Sequence, residues 1–223
     1  MQLTPQTRIG DIAARYPLAT RVFARHDIDF CCGGGRPLED VCDERGLSTA
    51  EVLEEVRRST SDEEPSERRW DQAPAASLVR HLVDDHHEPL RTELPRLETM
   101  ARKVVRAHGS RDPERLGALL DTIVRLREEL EAHMQVEERE LFPAILADGP
   151  IRDDLLGSLT AEHSETGAAL ERLRQLTDGY RVPEGACTTW RALWHGLAAL
   201  ETSLHRHVHL ENNVLFARLG DTA

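Results

Sequence analysis

His133-Met-Gln-Val-Glu137-Glu-Arg-Glu-Leu141-Phe142 and His207-Val-His-Leu-Glu211-Asn-Asn-Val-Leu215-Phe216 are two copies of one pattern, His-x3-Glu-x3-Leu-Phe. A step of four places the histidine and the glutamate on the same face of a helix. The residues leading into each copy are apolar at steps of three and four. Leu116, Leu119, Ile123, Leu126 and Leu130 precede His133, and Trp190, Leu193, Leu197, Leu200 and Leu204 precede His207. Such a stripe is the inward seam of a bundle helix. Each seam runs out of leucines and into an imidazole and a carboxylate, at positions that helical phase sends to the core.

Two more helices carry one seam histidine each. The first spans about 77–108, with Val83, His87, Leu90, Leu94, Leu97, Ala101 and Val104 in phase. Pro89 and Pro95 interrupt it. Each removes a helical hydrogen bond at a cost of up to ~3 kcal/mol, so an irregular turn is expected beside His87. The helix that leads into His133 comes second along the chain and begins with Asp112 as N-cap and Pro113 at the first helical position, a strong start signal. The third starts near Asp153, carries Leu156, Leu159, His163, Gly167, Leu170 and Leu173 or Arg174, and stops at Gly179 and Pro183. The fourth starts near Ala186. Along the chain the order His, His-x3-Glu is therefore written twice.

A lone seam histidine is usually a hydrogen-bonded core residue, and a lone His-x3-Glu pair is usually a solvated ion pair. Six such groups in phase are different, because buried imidazoles and carboxylates need partners. A metal centre held by His87, His133, Glu137, His163, His207 and Glu211 supplies one for all of them. Four nitrogens and two carboxylates exceed the needs of one tetrahedral zinc. They fit two five- or six-coordinate ions of the iron or manganese kind, with room for an oxo, hydroxo or water bridge. His86 is the rival to His87, since Pro89 can shift the local phase by one residue. His205 and His209 flank His207 but turn roughly 160° in total away from its face. His81, His108 and His195 read as surface or boundary residues.

Residues 1–58 form a separate small helical unit by pattern. Ile9, Ile12, Ala13, Leu18, Val22 and Phe23 lead to Asp29-Phe30-Cys31-Cys32-Gly33-Gly34-Gly35-Arg36-Pro37, a turn by its glycines and proline. Ser48 with Glu51 three residues on is a capping-box start. Residues 59–72 read as a polar linker whose end Trp70 docks, and 73–223 as the bundle. Cys31 and Cys32 are open to three readings: a reactive pair, a transient metal or cluster acceptor, or part of a buried turn. Cys187 lies about 30 Å along a helix from His207 and is not a ligand of that site.

Composition agrees with an all-α protein. Of 223 residues only 4% are aromatic against 39% hydrophobic, so the core must rest on aliphatic side chains, which disfavours sheets. A net charge of −12 repels phosphate backbones and argues against nucleic acid. No apolar run is long enough to span a bilayer, and the first residues lack the apolar core of a signal peptide. Four cysteines suit a reducing compartment, so the expected location is the cytoplasm.

Together, the Asp29-Phe30-Cys31-Cys32-Gly33-Gly34 motif, the linker ending at Trp70, the His-x3-Glu helices, Glu184-Gly-Ala-Cys-Thr-Thr-Trp190 and His207-x-x-Leu-Glu211-Asn-Asn-Val-Leu-Phe216 resemble the iron-sulfur cluster repair (RIC) di-iron proteins. These join an ScdA-like N-terminal domain to a haemerythrin-like four-helix bundle, and the resemblance covers nearly the whole chain. It implies two carboxylate-bridged non-haem irons on the same six residues, with an oxo-type bridge. It implies a stress-response protein that repairs clusters damaged by nitric oxide or oxidants, with iron donation as the expected route. Damaged or apo iron-sulfur proteins would be its partners, and Cys31 and Cys32 its paired N-terminal cysteines. The alternatives are nitric oxide reduction at the irons, an enzymatic role, and an oxygen or nitric oxide sensor. All three use the same centre, in a monomer or homodimer. Gly35, Pro89 and the histidines at 86, 205 and 209 depart from the family pattern.

Overall fold

The computed structural model describes residues 3–61, 69–152 and 154–220. Eleven α-helices are found among them: α1 Ile9–Arg15, α2 Ala19–Arg25, α3 Leu38–Arg45, α4 Thr49–Ser61, α5 Ala75–Leu82, α6 Glu88–His108, α7 Pro113–Val136, α8 Phe142–Leu146, α9 Leu155–Leu176, α10 Thr188–His209 and α11 Phe216–Gly220. The described residues contain no strand, and an isolated bridge joins Arg8 and Pro37. No helix is long and apolar enough to cross a membrane among them. The all-α helical-bundle class expected from the pattern is the class observed.

The chain divides into two compact units, 79–204 and 1–78 with 205–223. The divisions fall inside α5 and inside α10.

In the unit 79–204, helices α6, α7, α9 and the larger part of α10 bury one apolar cluster. Leu94, Leu97, Leu119, Ile123, Leu173, Trp194, Leu197 and Leu204 lie at its centre. The Asp112 carboxylate accepts the Arg115 N–H at 3.2 Å and so caps α7, with Pro113 at the first turn. Pro95 is tolerated inside α6 because it faces solvent, where water takes over the carbonyl that its ring leaves unbonded.

Three π-helical turns interrupt the bundle helices: Val83–His87, Glu137–Leu141 and Leu210–Leu215. In each, an amide reaches five residues back, Glu88 N to Val83 O, Phe142 N to Glu137 O and Phe216 N to Glu211 O. Pro89 and Pro143 follow the first two turns almost at once. A proline has no N–H to give, so the longer bond at the preceding residues is the one that can form. The extra residue moves the seam. Leu82 is fully buried, whereas Val83, expected in the core from an unbroken 3.6 period, is half-buried. In α9 Leu159, His163, Leu170 and Leu173 are buried as read from phase, whereas Leu155 and Thr166 are buried in place of Leu156 and Gly167. The start expected near Asp153 falls outside the described residues.

The unit 1–78 with 205–223 packs Ile9, Ile12, Val22, Phe23, Ile28, Leu38 and Val56 into its own core. Ser48 Oγ accepts the Glu51 N–H at 3.4 Å at the start of α4, and Gly46 closes α3 at φ 66°. Of the linker stretch 59–72, residues 62–68 lie outside the described residues. Residues 59–61 continue α4, and Trp70–Gln72 form a 3₁₀ turn. Arg218 donates to the carbonyls of Trp70 and Ala73, which fixes the C-terminal helix α11 to that turn.

Candidate metal centre

Within 79–204 the seam polar residues meet. His87, at the end of the first π-turn, places Nε2 3.4 Å from Glu137 Oε2, and both side chains are fully buried. His133 Nε2 is 3.5 Å from the same oxygen. His163 Nε2 from α9 stands 3.0 Å from His133 Nε2, and the two rings are 4.7 Å apart.

The outer nitrogens decide what the inner ones do. His87 Nδ1 is 2.7 Å from Glu138 Oε1, and His133 Nδ1 is 2.7 Å from Glu162 Oε2. A neutral imidazole that donates from Nδ1 has a lone pair at Nε2. Both rings therefore aim lone pairs at a buried carboxylate. Acceptor faces acceptor, and a cation between them reconciles the geometry. Outer carboxylates on ligating histidines are the common means of orienting such rings. Burial of Glu138 acts to raise its pKa, but the hydrogen bonds from His87 and Arg91 prevail and leave it below the usual carboxylate range. Arg91 Nη2 reaches the same Glu138 oxygen at 2.7 Å, so the outer carboxylate is itself anchored. Phe142 stacks on the His87 ring, centroid to centroid 5.7 Å.

His86 does not join this group. It is buried at the side of the π-turn, with its ring 5.1 Å from that of His81. His108 lies near Cys187 and Trp190, and His195 is exposed.

Within 1–78 and 205–223 the second His-x3-Glu copy forms a tight pair, with His207 Nε2 2.6 Å from Glu211 Oε1 and both side chains buried. The next two residues bind the cysteine turn. Asn213 Nδ2 donates to the carbonyls of Cys31 at 3.0 Å and Phe30 at 3.2 Å, and Asn212 Nδ2 to that of Cys31 at 3.4 Å. Gly10 and Gly34 make room for the Asn213 amide. A Cβ on either would lie 2.2 Å or 2.5 Å from its Oδ1. His209 is buried against the Phe30 ring at 5.7 Å, and burial pushes its pKa down to about 4.

Cys31 and Cys32 are not joined in a disulfide. Cys31 is 5% exposed. Its thiol pKa is pushed far up, first by the hydrogen bond to Cys32, then by burial and by the Asp29 charge.

Sequence phase finds only residues that point inward. Glu138, Glu162 and Arg91 reach the site from its flank, and Asn212 and Asn213 act through the backbone of a distant segment. The available signal was position: Glu138 follows the seam Glu137, and Glu162 precedes the seam His163.

The donors of this site are imidazole nitrogens and carboxylate oxygens, a set that fits iron or manganese better than a soft thiophilic ion. Comparison with known proteins agrees. Residues 78–219 match the family described as "Hemerythrin HHE cation binding domain". Residues 5–59 match ScdA_N, described as a domain of unknown function (DUF542). The chain is 39% identical over 218 residues to "Iron-sulfur cluster repair protein YtfE" of Yersinia pseudotuberculosis serotype IB (strain PB1/+), covering 94% of this chain and 95% of that one. It is 40% identical over 218 residues to the protein of the same name from Edwardsiella ictaluri (strain 93-146), covering 96% of each. A buried imidazole and carboxylate cluster on π-turned helices and likeness along almost the whole length lead to one assignment: the chain belongs to the iron-sulfur cluster repair family, with a hemerythrin-type cation-binding domain behind an ScdA_N domain.

Proposed function

We propose that this protein restores damaged iron-sulfur clusters in the cytoplasm by donating iron to them, and that damaged or apo iron-sulfur proteins are its clients. The ligand set is His87, His133, Glu137, His163, His207 and Glu211, holding two non-haem irons with an oxo or hydroxo bridge. The domains that divide this work are 1–58, with the cysteine turn, and 73–223, with the irons.

The observation that carries the metal reading is the pairing of Glu138 and Glu162 with the outer nitrogens of His87 and His133. It turns the Nε2 lone pairs inward onto a fully buried carboxylate, Glu137. The names of the relatives carry the step from metal to repair.

Iron held there by imidazole and carboxylate, without thiolates, would be available for release to the softer sulfur sites of a cluster. The residues provide the rest. Glu137 and Glu211 supply the negative charge that holds a dication away from water. Glu138 and Glu162 keep two imidazoles in their ligating tautomer. Because metal binding requires deprotonated ligands, loss of a cation from such a site would be accompanied by proton uptake.

The test is iron content followed by transfer. Wild-type protein is expected to carry two irons per chain, and a Glu137→Ala, Glu211→Ala double variant close to none. Incubation of the loaded wild type with a hydratase whose [4Fe–4S] cluster has been damaged by nitric oxide should restore hydratase activity, and the double variant should not. Zinc at one per chain would overturn the centre. Two irons with no restored activity would overturn the repair reading while leaving the centre in place.

A further inference from the structure

Asp29, Cys31 and Cys32 stand together as a second set of metal-type donors, with one ligand atom of each within 4.8 Å of the others. Cys31 Sγ is 3.0 Å from Asp29 Oδ1 and 3.8 Å from Cys32 Sγ.

The turn holds these atoms in place from two sides. Asp29 Oδ1 accepts the N–H groups of Cys31 and Cys32, each at 3.0 Å, and Oδ2 accepts that of Gly33 at 2.9 Å. From the other side Asn213 binds the Cys31 carbonyl. The backbone that carries the two thiols is thereby held in place.

A pair of thiols fixed in this way can close a disulfide or share a cation. The disulfide is disfavoured. Neighbouring Cα atoms on a trans peptide are about 3.8 Å apart, short of the roughly 4.4–6.8 Å that disulfides span. The cation fits. Two thiolates at about 2.3 Å from a tetrahedral zinc-like ion are about 3.8 Å from each other, the separation of Cys31 Sγ and Cys32 Sγ.

We propose that Asp29, Cys31 and Cys32 form a second cation site, separate from the imidazole and carboxylate centre, for a thiophilic divalent ion such as ferrous iron or zinc. Binding forms two metal–thiolate bonds and releases the two thiol protons to water. No electron moves. The Asp29 carboxylate gives up its Cys31 thiol hydrogen bond and supplies an oxygen. Three protein donors are one short of the four that complete a tetrahedral ion. An open position is what a site needs to pass its ion to another protein's sulfur, whereas closed four-ligand sites are structural. The raised pKa of Cys31 means that the empty site is a dithiol, so proton release accompanies loading. The role of this site as a relay for iron rests on the repair reading; the binding itself does not.

The experiment uses full-length, iron-loaded protein titrated anaerobically with Co²⁺ as the probe, with iron measured before and after. The expected result is one Co²⁺ per chain with unchanged iron, a thiolate-to-cobalt charge-transfer absorption, and two protons released per ion. Cys31→Ser with Cys32→Ser should abolish the band. Asp29→Asn, which keeps one oxygen for the Cys31 and Cys32 N–H groups and loses the acceptor of the Gly33 N–H, should weaken binding at least tenfold. Cys42→Ser and Cys187→Ser should change nothing. Slower alkylation of Cys32 in the presence of Co²⁺ reads the same event in the wild type, whatever the fate of the serine variants. The proposal fails if the wild type shows neither the band nor the protection, or if the band survives loss of both cysteines. A band without transfer of the ion to an apo-cluster protein would leave the site standing and remove its relay role.

Discussion

Glu162 is half-exposed, carries no seam phase, and yet sets the tautomer of His133. Removing it should let the ring rotate and lower the basicity of its inner nitrogen. Glu162→Ala is expected to weaken iron binding on the order of 10–100-fold, read by competition with a chelator, with helix content unchanged. Equal affinity in the variant would mean that packing alone orients the ring. The glycine run offers a second comparison at this scale. A Cβ at Gly34 would lie 2.5 Å from Asn213 Oδ1 and 2.7 Å from the Phe30 carbonyl, while one at Gly35 meets nothing within 4 Å. Gly34→Ala should destabilise by about 1–3 kcal/mol and Gly35→Ala by a small fraction of that, as measured by denaturant melts. Comparable losses at the two positions would contradict the close approach. Residue identity was legible where chemistry and phase coincide. The glutamates of the two His-x3-Glu copies stood out because a carboxylate at a core position has to be accounted for. Glu138 and Glu162 did not, because an acidic residue at the edge of a helix is ordinary.

The helices themselves were legible because leucine seams at steps of three and four leave few alternatives, and because Asp112-Pro113 marks a start in plain chemical terms. The π-turns were only half legible. Pro89 announced an irregularity near His87, but not its kind, and an unbroken 3.6 period put Val83 where Leu82 belongs. One inserted residue has a measurable signature. Leu82→Ala should cost about 2–5 kcal/mol, the range for a fully buried leucine, and Val83→Ala clearly less, by thermal or chemical melts. The reverse order would restore the regular helix. The two neighbouring histidines lie differently across the same insertion. His87 reaches Glu137 and His86 lies against His81. π-turns collect at functional sites, and here one of them lies within each copy of the repeat, Glu137–Leu141 and Leu210–Leu215, so the sequence repeat is also a repeat of backbone form.

For the whole molecule, metal and stability are expected to be linked. A ligand bound only by the folded state stabilises it by mass action, about 4 kcal/mol at a thousand times its Kd. Stripping the iron should therefore lower Tm in calorimetry, and ferrous iron should restore it. A Tm indifferent to iron would argue against the ligand set. The division into units was the least legible feature. Nothing in local pattern indicates that residues 205–223 group with residues 1–78, because the contacts responsible are single side chains such as Asn213 and Arg218 and not a periodic seam. That grouping has a consequence for how the protein is made. Gly10, Gly34 and the Cys31 carbonyl await an asparagine almost at the other end of the chain. A chain folding as it leaves the ribosome would expose its cysteine turn well before the asparagine that fastens it, 182 positions later, is made. Until Asn213 is made, the backbone of the cysteine turn would lack this anchor.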